Sequence, residues 1–284
     1  MKTILISTDF SPNAAHAAAW GYNLAKQAKA NILLANAITI PAELPQPEMI
    51  SWQSGDGDQA VNHSYDDLQK LKAHLEQNDY SETFRPSVDY VSEWGKVTDV
   101  IEHVTNKEIG LIIIGKHGSD GLSTFVMGNH CSNLIDTANK PLLIIPPGTP
   151  IKTIKKLAFA FDFNHIGKEI KSIYEVIALA KALSAEVLLT HIFDTPQSSS
   201  MKLMIDQLLT ELSNKADYPH IYYRAITDSN AEQGLDWLCE HGHIDILAMN
   251  HGPYSFIDDI LNLSHTQKMA AHITIPLLVY QVNT

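Results

Sequence analysis

The chain has 284 residues, 45% of them hydrophobic and 18% charged, which provides enough apolar material for a packed core and excludes a disordered or fibrous protein. Its formal net charge is −12, from 20 Lys and Arg residues against 32 Asp and Glu residues. Nucleic acids and anionic membrane surfaces both attract proteins with a basic patch, so we expect neither as a partner.

The cysteine content and the length of the apolar runs indicate the cellular compartment of the protein. Cys131 and Cys239 are too few for a disulfide framework. The apolar run at the N-terminus ends at Asp9, too early for a signal peptide, and nowhere do about 18 apolar residues follow one another. We therefore expect a cytoplasmic protein without a membrane span.

Strands and helices are predicted to alternate strictly along residues 1–148, here called the first half. One helix is predicted to begin at Ser11-Pro12, an N-cap residue followed by proline at the first helical position. Apolar stripes predict further helices at residues 68–75 and 97–104, and a fourth is predicted over 129–138. Apolar runs predict strands at residues 3–8, 31–37, 111–114 and 142–145, and alternation of apolar with polar residues predicts one at 88–90.

This alternation, with strands buried on both faces, predicts a parallel sheet between two layers of helices, the doubly wound α/β fold. Such sheets bind ligands beyond the carboxyl ends of their strands, near the point where the strand order reverses. Asp9 and Gly115 both lie at predicted strand ends of this kind. The segment 41–63 has no periodicity, and we expect it to be an exposed, mobile loop.

Residues 151–284, here called the second half, repeat landmarks of the first half in the same order. Three landmarks recur: Asp9-Phe10 as Asp162-Phe163, His117-Gly118 as His251-Gly252, and Pro141 as Pro276. Strands are predicted at residues 156–161, 186–193, 220–226, 244–249 and 277–281. With the proline-rich seam at 146–150, the repeat predicts two homologous domains, 1–148 and 151–284, each with a five-stranded parallel sheet.

The most informative motif is Gly115-Lys-His-Gly118, followed after nine residues by Gly128-Asn129. Two glycines directly after a buried strand let the backbone approach a ligand closely. The start of the helix at 129–138 offers unpaired N–H groups and the positive end of the helix dipole, which suit a phosphate group. Together with Asp9, this spacing favours an anion-binding site.

Through these residues the chain resembles the universal stress protein family, in a tandem, two-domain form. Nucleotide-binding members of that family carry G-x2-G-x9-G-[ST] and an Asp after the first strand, and they bind ATP across the strand ends. The resemblance implies ATP or a related adenine nucleotide, accompanied by Mg²⁺, in the first domain. The implied contacts are Asp9 with the ribose or a metal, Ala37 with the adenine, Gly115, His117 and Gly118 with the ribose and phosphates, and Gly128 and Asn129 with the distal phosphates.

The chain departs from the family pattern at several positions. Asn129 replaces the usual Ser or Thr, and Cys131 stands where a second hydroxyl is common. An amide still donates a hydrogen bond, whereas a thiol donates weakly. In the second half Asp162 is kept, but the counterpart of Gly115 is lost and the helix start at 262–264 has no glycine. We therefore expect a nucleotide in the first half and none in the second.

The resemblance also implies how the two halves pair. In this family the last strands of two domains pair antiparallel, so residues 142–145 and 277–280 are expected to pair within the chain as an internal pseudo-dimer. A homodimer and an unidentified protein partner are further expectations. We expect a stress-response protein that binds rather than catalyses, with the nucleotide ordering the segments 118–128 and 41–63.

Four alternatives stay open at this point. Loss of the hydroxyl donors at Asn129 and Cys131 would leave a nucleotide-independent interaction or scaffold protein. A slow ATPase would need a base and a metal that the sequence does not identify. The segment His165-Ile-Gly-Lys168 partly matches the HIGH signature of nucleotidyl-transferring folds. A metal site is conceivable near the strand ends of the second half, with the candidate ligands Asp162, His165, His191, His251 and His265.

Overall fold

The computed structural model describes residues 2–38, 56–77, 79, 84–105, 108–116, 129–194, 199–252 and 265–282. The first half contains, in chain order, β1 (Thr3–Ser7), α1 (Pro12–Ala28), β2 (Asn31–Ile38), α2 (Asp56–Gln77), β3 (Val88–Trp94), α3 (Val97–Val104), β4 (Ile109–Gly115), α4 (Asn129–Thr137) and β5 (Leu142–Ile145). The second half contains β6 (Lys156–Ala160), a 3₁₀ turn (Phe163–His165), α5 (Ile166–Leu183), β7 (Glu186–Phe193), α6 (Ser199–Ala216), β8 (Ile221–Thr227), α7 (Ala231–His241), β9 (Ile246–His251), α8 (His265–His272) and β10 (Leu277–Gln281).

Helix α1 begins and ends where its sequence dictates. The Ser11 hydroxyl accepts the Ala14 N–H at 3.2 Å, and Pro12 takes the first helical position, where a missing N–H removes no helical hydrogen bond. The helix ends at Lys29, whose φ of 52° is left-handed, and α5 ends in the same way at Ser184. These equivalent ends allow α1 and α5 to be compared residue by residue.

Ten strands of the described chain form one continuous sheet in the order β3-β2-β1-β4-β5-β10-β9-β6-β7-β8. At its centre β5 and β10 pair antiparallel, with Leu142 opposite Val279 and Ile144 opposite Leu277, whereas the other described pairs are parallel. The predicted fold class and the internal pseudo-dimer are thereby confirmed. Because the central pair is antiparallel, the strands of the two halves end at opposite edges of the sheet.

Apolar side chains form one core on each face of the sheet, and each core contains residues of both halves. The sequence of β5 is a continuous apolar run because its side chains enter both cores. Leu143 and Ile145 belong to the core that contains residues of α1 and α5, and Leu142 and Ile144 to the core that contains residues of α4 and α8. None of the described helices has the length and apolar character needed to cross a membrane.

The segment between β5 and β6, residues 146–155, is here called the linker, and α1 holds it. The Gln27 side chain donates to the Ile154 carbonyl at 2.7 Å and accepts the Ile154 N–H at 2.9 Å. Asn23 donates to the Lys152 carbonyl at 2.9 Å, and the Lys152 ammonium lies 2.6 Å from Asp245, just before β9. The linker therefore packs between α1 and the start of β9.

The predicted loop at 41–63 is wrong over its last eight residues, because α2 already begins at Asp56. The apolar stripe in the sequence begins at Leu68, but the buried face of α2 extends further back, to Ser64. Ser64 is polar, so an apolar pattern does not include it, and its buried hydroxyl is satisfied by donating a hydrogen bond to Asn36 at 2.8 Å. The remaining part of that prediction, 41–55, lies outside the described residues.

Candidate functional site

Three predicted site residues lie at one edge of the sheet, where β1, β2 and β4 end; we call it the first-half edge. Ser7 and Ala35 pair across β1 and β2, and Asp9 and Ala37 each follow two positions later. Gly115 is the last residue of β4, which flanks β1 on its other side. The strand order reverses here, since β2 and β3 lie on one side of β1 and β4 and β5 on the other, and such points bind ligands in doubly wound folds.

Asp9 lies in a tight turn that leads from β1 into α1. Its Oδ1 accepts the Ser11 N–H at 3.0 Å, and Thr8 Oγ1 accepts the Phe10 N–H at 3.0 Å. Between them Phe10 has a φ of 63°, a left-handed conformation that bulky residues rarely adopt. Asp9 is exposed, so the turn presents a carboxylate to solvent with one oxygen oriented by the backbone.

Gly115 is required by the packing of β4 against α1. A Cβ at this position would lie 2.7 Å from the Asn13 carbonyl oxygen and 3.2 Å from the Ala14 nitrogen, both of them backbone atoms. Only glycine therefore lets the first turn of α1 approach the end of β4. As a consequence, β4 ends at the first-half edge without a side chain.

A buried polar network, which was not predicted, supports this edge from behind. Asn36 Nδ2 donates to the Thr8 carbonyl at 2.8 Å and Asn36 Oδ1 accepts the Ser64 hydroxyl, which lies 2.6 Å from the Ser92 hydroxyl. These contacts fasten α2, β2 and β3 to the end of β1, directly before Asp9. The signal in the sequence was Asn36 itself, because a buried amide within an apolar strand needs partners.

The other predicted contacts fall largely outside the described residues. His117, Gly118 and Gly128 lie there, and of Asn129 the structure describes only its place as the first residue of α4. Cys131, two positions on, is 2% exposed, and burial raises the pKa of its thiol to about 12. Cys131 therefore packs as a small core residue rather than as an ionised nucleophile.

The corresponding edge of the second half, where β6, β7 and β9 end, is occupied by side chains; we call it the second-half edge. Asp162 is 7% exposed, and its Oδ2 lies 2.6 Å from His165 Nδ1. Glu169, 1% exposed, accepts the Asp162 N–H at 3.2 Å. Burial raises the pKa of Glu169 to about 8 and outweighs the hydrogen bond from the Asp162 backbone, which favours the ionised form.

The registers of the halves show which residues of β4 and β9 correspond. Gly115 comes four positions after the residue of β4 that pairs with Ile4. Asn250 comes four positions after the residue of β9 that pairs with Leu157, the counterpart of Ile4, so Gly115 and Asn250 correspond. Asn250 is 2% exposed and takes the place of the glycine that β4 packs against α1. The second-half edge thus carries an amide side chain where the first-half edge carries none.

The first turns of α1 and α5 differ in the same sense. Counted fifteen residues back from the left-handed ends of the helices, Ala14 of α1 corresponds to Glu169 of α5. A methyl group in the first half is thus replaced by a buried carboxyl group in the second. His191 of β7 is also buried, with Nδ1 2.8 Å from the Phe161 carbonyl oxygen, and its burial lowers its pKa.

The metal alternative depends on the arrangement of the histidines. Within the described residues, no group of three or more His, Cys, Asp or Glu side chains is placed to hold a metal ion. His251 contacts the first half instead, with Nε2 3.0 Å from Asp136 Oδ1 of α4. His165, which begins the HIGH-like segment, contacts Asp162, and His265 is the first residue of α8.

A family model matches the part of the chain that builds the first-half edge. The model for the universal stress protein family covers residues 1–146, slightly more than half of the chain. The chain belongs to the universal stress protein family. Among curated proteins, none matches the sequence.

Solved structures resemble the chain over nearly its whole length. A universal stress protein from Archaeoglobus fulgidus DSM 4304 has a TM-score of 0.68 at 12% identity, covering 99% of this chain and 98% of that one. A protein named for the same family from Pseudomonas aeruginosa UCBPP-PA14 gives 0.59 at 13%, with 99% and 93% covered. The cytoplasmic domain of a prokaryotic cation chloride cotransporter gives 0.54 at 9%, with 98% and 94% covered. At these identities the likeness shows the fold alone.

Proposed function

We propose that the chain is a cytoplasmic, non-catalytic stress-response protein that binds ATP or a related adenine nucleotide, accompanied by Mg²⁺, at the first-half edge. In this proposal Asp9 faces the ribose or the metal and the backbone at Ala37 faces the adenine. Gly115 and the motif that follows it hold the phosphates. The second half binds no nucleotide and completes the internal pseudo-dimer.

The observation that supports this proposal is the contrast between the two edges. At the first-half edge Asp9 is exposed, and the edge also carries Gly115 and Ala14, which pack against each other. At the second-half edge Asp162 is buried, and Asn250 and Glu169 stand in the corresponding positions. An anionic ligand needs open space and backbone donors, and a buried pair of carboxyl groups opposes it.

The proposal includes a division of labour along the chain. Domain 1–148 carries the nucleotide, domain 151–284 is its degenerate partner, and an unidentified protein recognises the nucleotide-bound state. A homodimer of the whole chain would add a second copy of the same arrangement. Both free cysteines, Cys131 and Cys239, fit a reducing compartment.

Calorimetric titration of nucleotide-stripped protein with Mg·ATP tests the proposal directly. We expect one site per chain. Two sites would show that the second-half edge binds nucleotide despite its buried side chains. Absence of binding up to millimolar ATP would overturn the proposal.

The matching aspartates of the two halves provide the control. We expect Asp9→Asn to weaken Mg·ATP binding by about tenfold or more, because a charge-assisted hydrogen bond to the ligand contributes about 1.5–3 kcal/mol. Asp162→Asn, the same change at the second-half edge, is expected to leave the affinity unchanged. Equal effects of the two variants would contradict the assignment of the site to the first half.

A second candidate function, a nucleotide-independent interaction module, is favoured by one observation. Cys131 is buried at the start of α4, so it offers no donor in place of the hydroxyl that is common in the family. The calorimetric experiment decides between the two functions. An interaction module would bind no ATP, and Asp9→Asn would then leave its interactions intact.

A further inference from the structure

The linker occupies a groove between α1 and the start of β9, which we call the α1 groove. Three polar side chains that line it hold the linker by hydrogen bonds and one ion pair. Asn23 and Gln27 bind its backbone, and Asp245 binds the Lys152 ammonium and accepts the backbone N–H groups of the residues that lead into β6. Ile154 of the linker is 2% exposed and belongs to the core.

The internal pseudo-dimer has a second groove at the related position, between α5 and the start of β4, which we call the α5 groove. Counted back from the left-handed helix ends, Ala178 and Ala182 of α5 correspond to Asn23 and Gln27 of α1. Gly110, directly before the residue that pairs with Ile4, corresponds to Asp245. Each polar group that holds the linker in the α1 groove is thus replaced by alanine or glycine.

The α5 groove has a volume of about 350 Å³, within the size range of natural ligand sites, which begins at about 300 Å³. Its lining is mostly apolar and includes Leu111, Pro141 and Leu179, with Tyr280 beneath them. Ala178 and Ala182 are exposed along one wall. The groove lies at the amino ends of β4 and β5, on the edge of the sheet opposite the first-half edge, so it is separate from the proposed nucleotide site.

We propose that the α5 groove is a docking site for an extended peptide segment of a protein partner. The related groove shows what kind of occupant this shape accepts, since it holds a peptide segment with a buried isoleucine. The alanines and Gly110 leave additional volume and offer no side-chain hydrogen bonds. The docked segment therefore carries larger apolar side chains than the linker and is held mainly by their burial.

The charged side chains at the rim of the α5 groove indicate which charge the docked segment carries. The Lys140 side chain lines the groove and makes no hydrogen bond or ion pair with the described residues. Glu175 lies on the opposite wall, and its carboxylate is 3.8 Å from the Lys171 ammonium, which offsets its charge. An acidic residue in the docked segment would pair with Lys140. In the α1 groove the charges are reversed, since Lys152 of the linker pairs with Asp245.

A labelled peptide derived from the linker tests the proposal on the full chain. The probe is the sequence of residues 149–154 carrying Lys152→Glu and Ile154→Phe, and its binding is followed by fluorescence anisotropy. We expect saturable binding with one site per chain. The unmodified linker sequence, which places a lysine near Lys140, is expected to bind about tenfold more weakly, a difference of about 1.4 kcal/mol.

Two variants locate the binding. Ala182→Arg fills the groove and is expected to weaken binding of the probe by at least about tenfold. Ala15→Arg, a change at another exposed alanine, on α1, is expected to leave binding of the probe unchanged. The thermal midpoints of both variants are measured alongside, and Ala178→Glu replaces Ala182→Arg if the latter unfolds. Absence of saturable binding, or binding that neither groove variant weakens, would overturn the proposal.

Discussion

The two edges at which the strands end share one plan and differ in a few side chains. At the first-half edge the aspartate after β1 is exposed, and Gly115 packs against the backbone of Ala14. At the second-half edge the aspartate after β6 is buried and contacts Glu169 and the imidazole of His165, while Asn250 stands in the place of Gly115. In the part of the chain that the structure describes, the first-half edge is therefore open, with its aspartate exposed, and the second-half edge is closed, with its aspartate buried.

The difference also shows what closing an edge requires. Asn250 has a side chain where β4 has none, and the chain between β6 and α5 contains a 3₁₀ turn where the first half has the tight turn at Asp9. The carboxyl group of Glu169 is removed from water, which opposes its ionisation. At this edge buried polar side chains fill the space that a ligand would use, and their donors and acceptors must form hydrogen bonds with one another.

The largest expected effect comes from adding a side chain at the open edge. Gly115→Ala is expected to destabilise the protein by about 3 kcal/mol, because its Cβ would lie 2.7 Å from the Asn13 carbonyl oxygen and the backbone must shift. Denaturant unfolding measures the change. We expect the affinity for Mg·ATP to fall as well, since the shift displaces the end of β4 beside Asp9.

Gly167 provides a matched control in the first turn of α5. A Cβ at this position has no neighbour within 4 Å, so Gly167→Ala is expected to be neutral or to stabilise the helix by up to about 1 kcal/mol. If Gly115→Ala proves as harmless as Gly167→Ala, the close approach of β4 and α1 is not what requires the glycine.

The second prediction concerns the closed edge and its dependence on pH. The pKa of Glu169 is raised from its ordinary value of 4.5 to about 8 by burial in the folded chain. Between these values the unfolded chain releases the proton and the folded chain keeps it, so stability falls as pH rises. The contribution of this protonated group is complete below pH 4.5 and is lost as pH rises through about 8.

Glu169→Gln removes this dependence because glutamine does not titrate. We expect the variant to be more stable than the parent, with a gap that widens by about 2 kcal/mol between pH 6 and pH 8, since each pH unit contributes about 1.4 kcal/mol. Denaturant unfolding at several pH values measures the gap. Glu175→Gln, an exposed change on the same helix, is the control, and a constant gap for both variants would mean that Glu169 is ionised in the folded chain.

The sequence was a good guide to the fold because most strands inside the sheet are buried on both faces. The runs at 142–145, 186–193 and 277–281 were predicted with the boundaries that the structure has. The pairing of β5 with β10 followed from the family resemblance, since periodicity carries no information on which strands meet. The start of α2 was missed because Ser64 is polar yet buried, so a pattern of apolar residues does not reach it.

The site was less predictable, because its properties depend on contacts between distant segments. The sequence predicts that Gly115 lets a ligand approach the backbone, whereas the structure shows it packed against Asn13. Whether it also approaches a nucleotide stays a prediction, as do the contacts of His117, Gly118, Gly128 and Asn129. For the second-half edge the sequence predicted only that the glycine motif is lost, and it did not predict that side chains fill the edge. The burial of Glu169, seven residues after Asp162, has no signature in a single sequence.

The smallest expected effect concerns the helices that start at the two edges. Helix α1 is capped by the Ser11 hydroxyl, whereas His165 before α5 makes no such bond through its side chain. Ser11→Ala is expected to destabilise the protein by about 1 kcal/mol, measured from the denaturation midpoint. Asn230→Ala at α7, where the side chain accepts two backbone N–H groups, is the matched control and is expected to cost about the same. A loss for Asn230→Ala without one for Ser11→Ala would show that the turn at Asp9 holds the start of α1 without the cap, and the two helix starts would then be more alike than their sequences indicate.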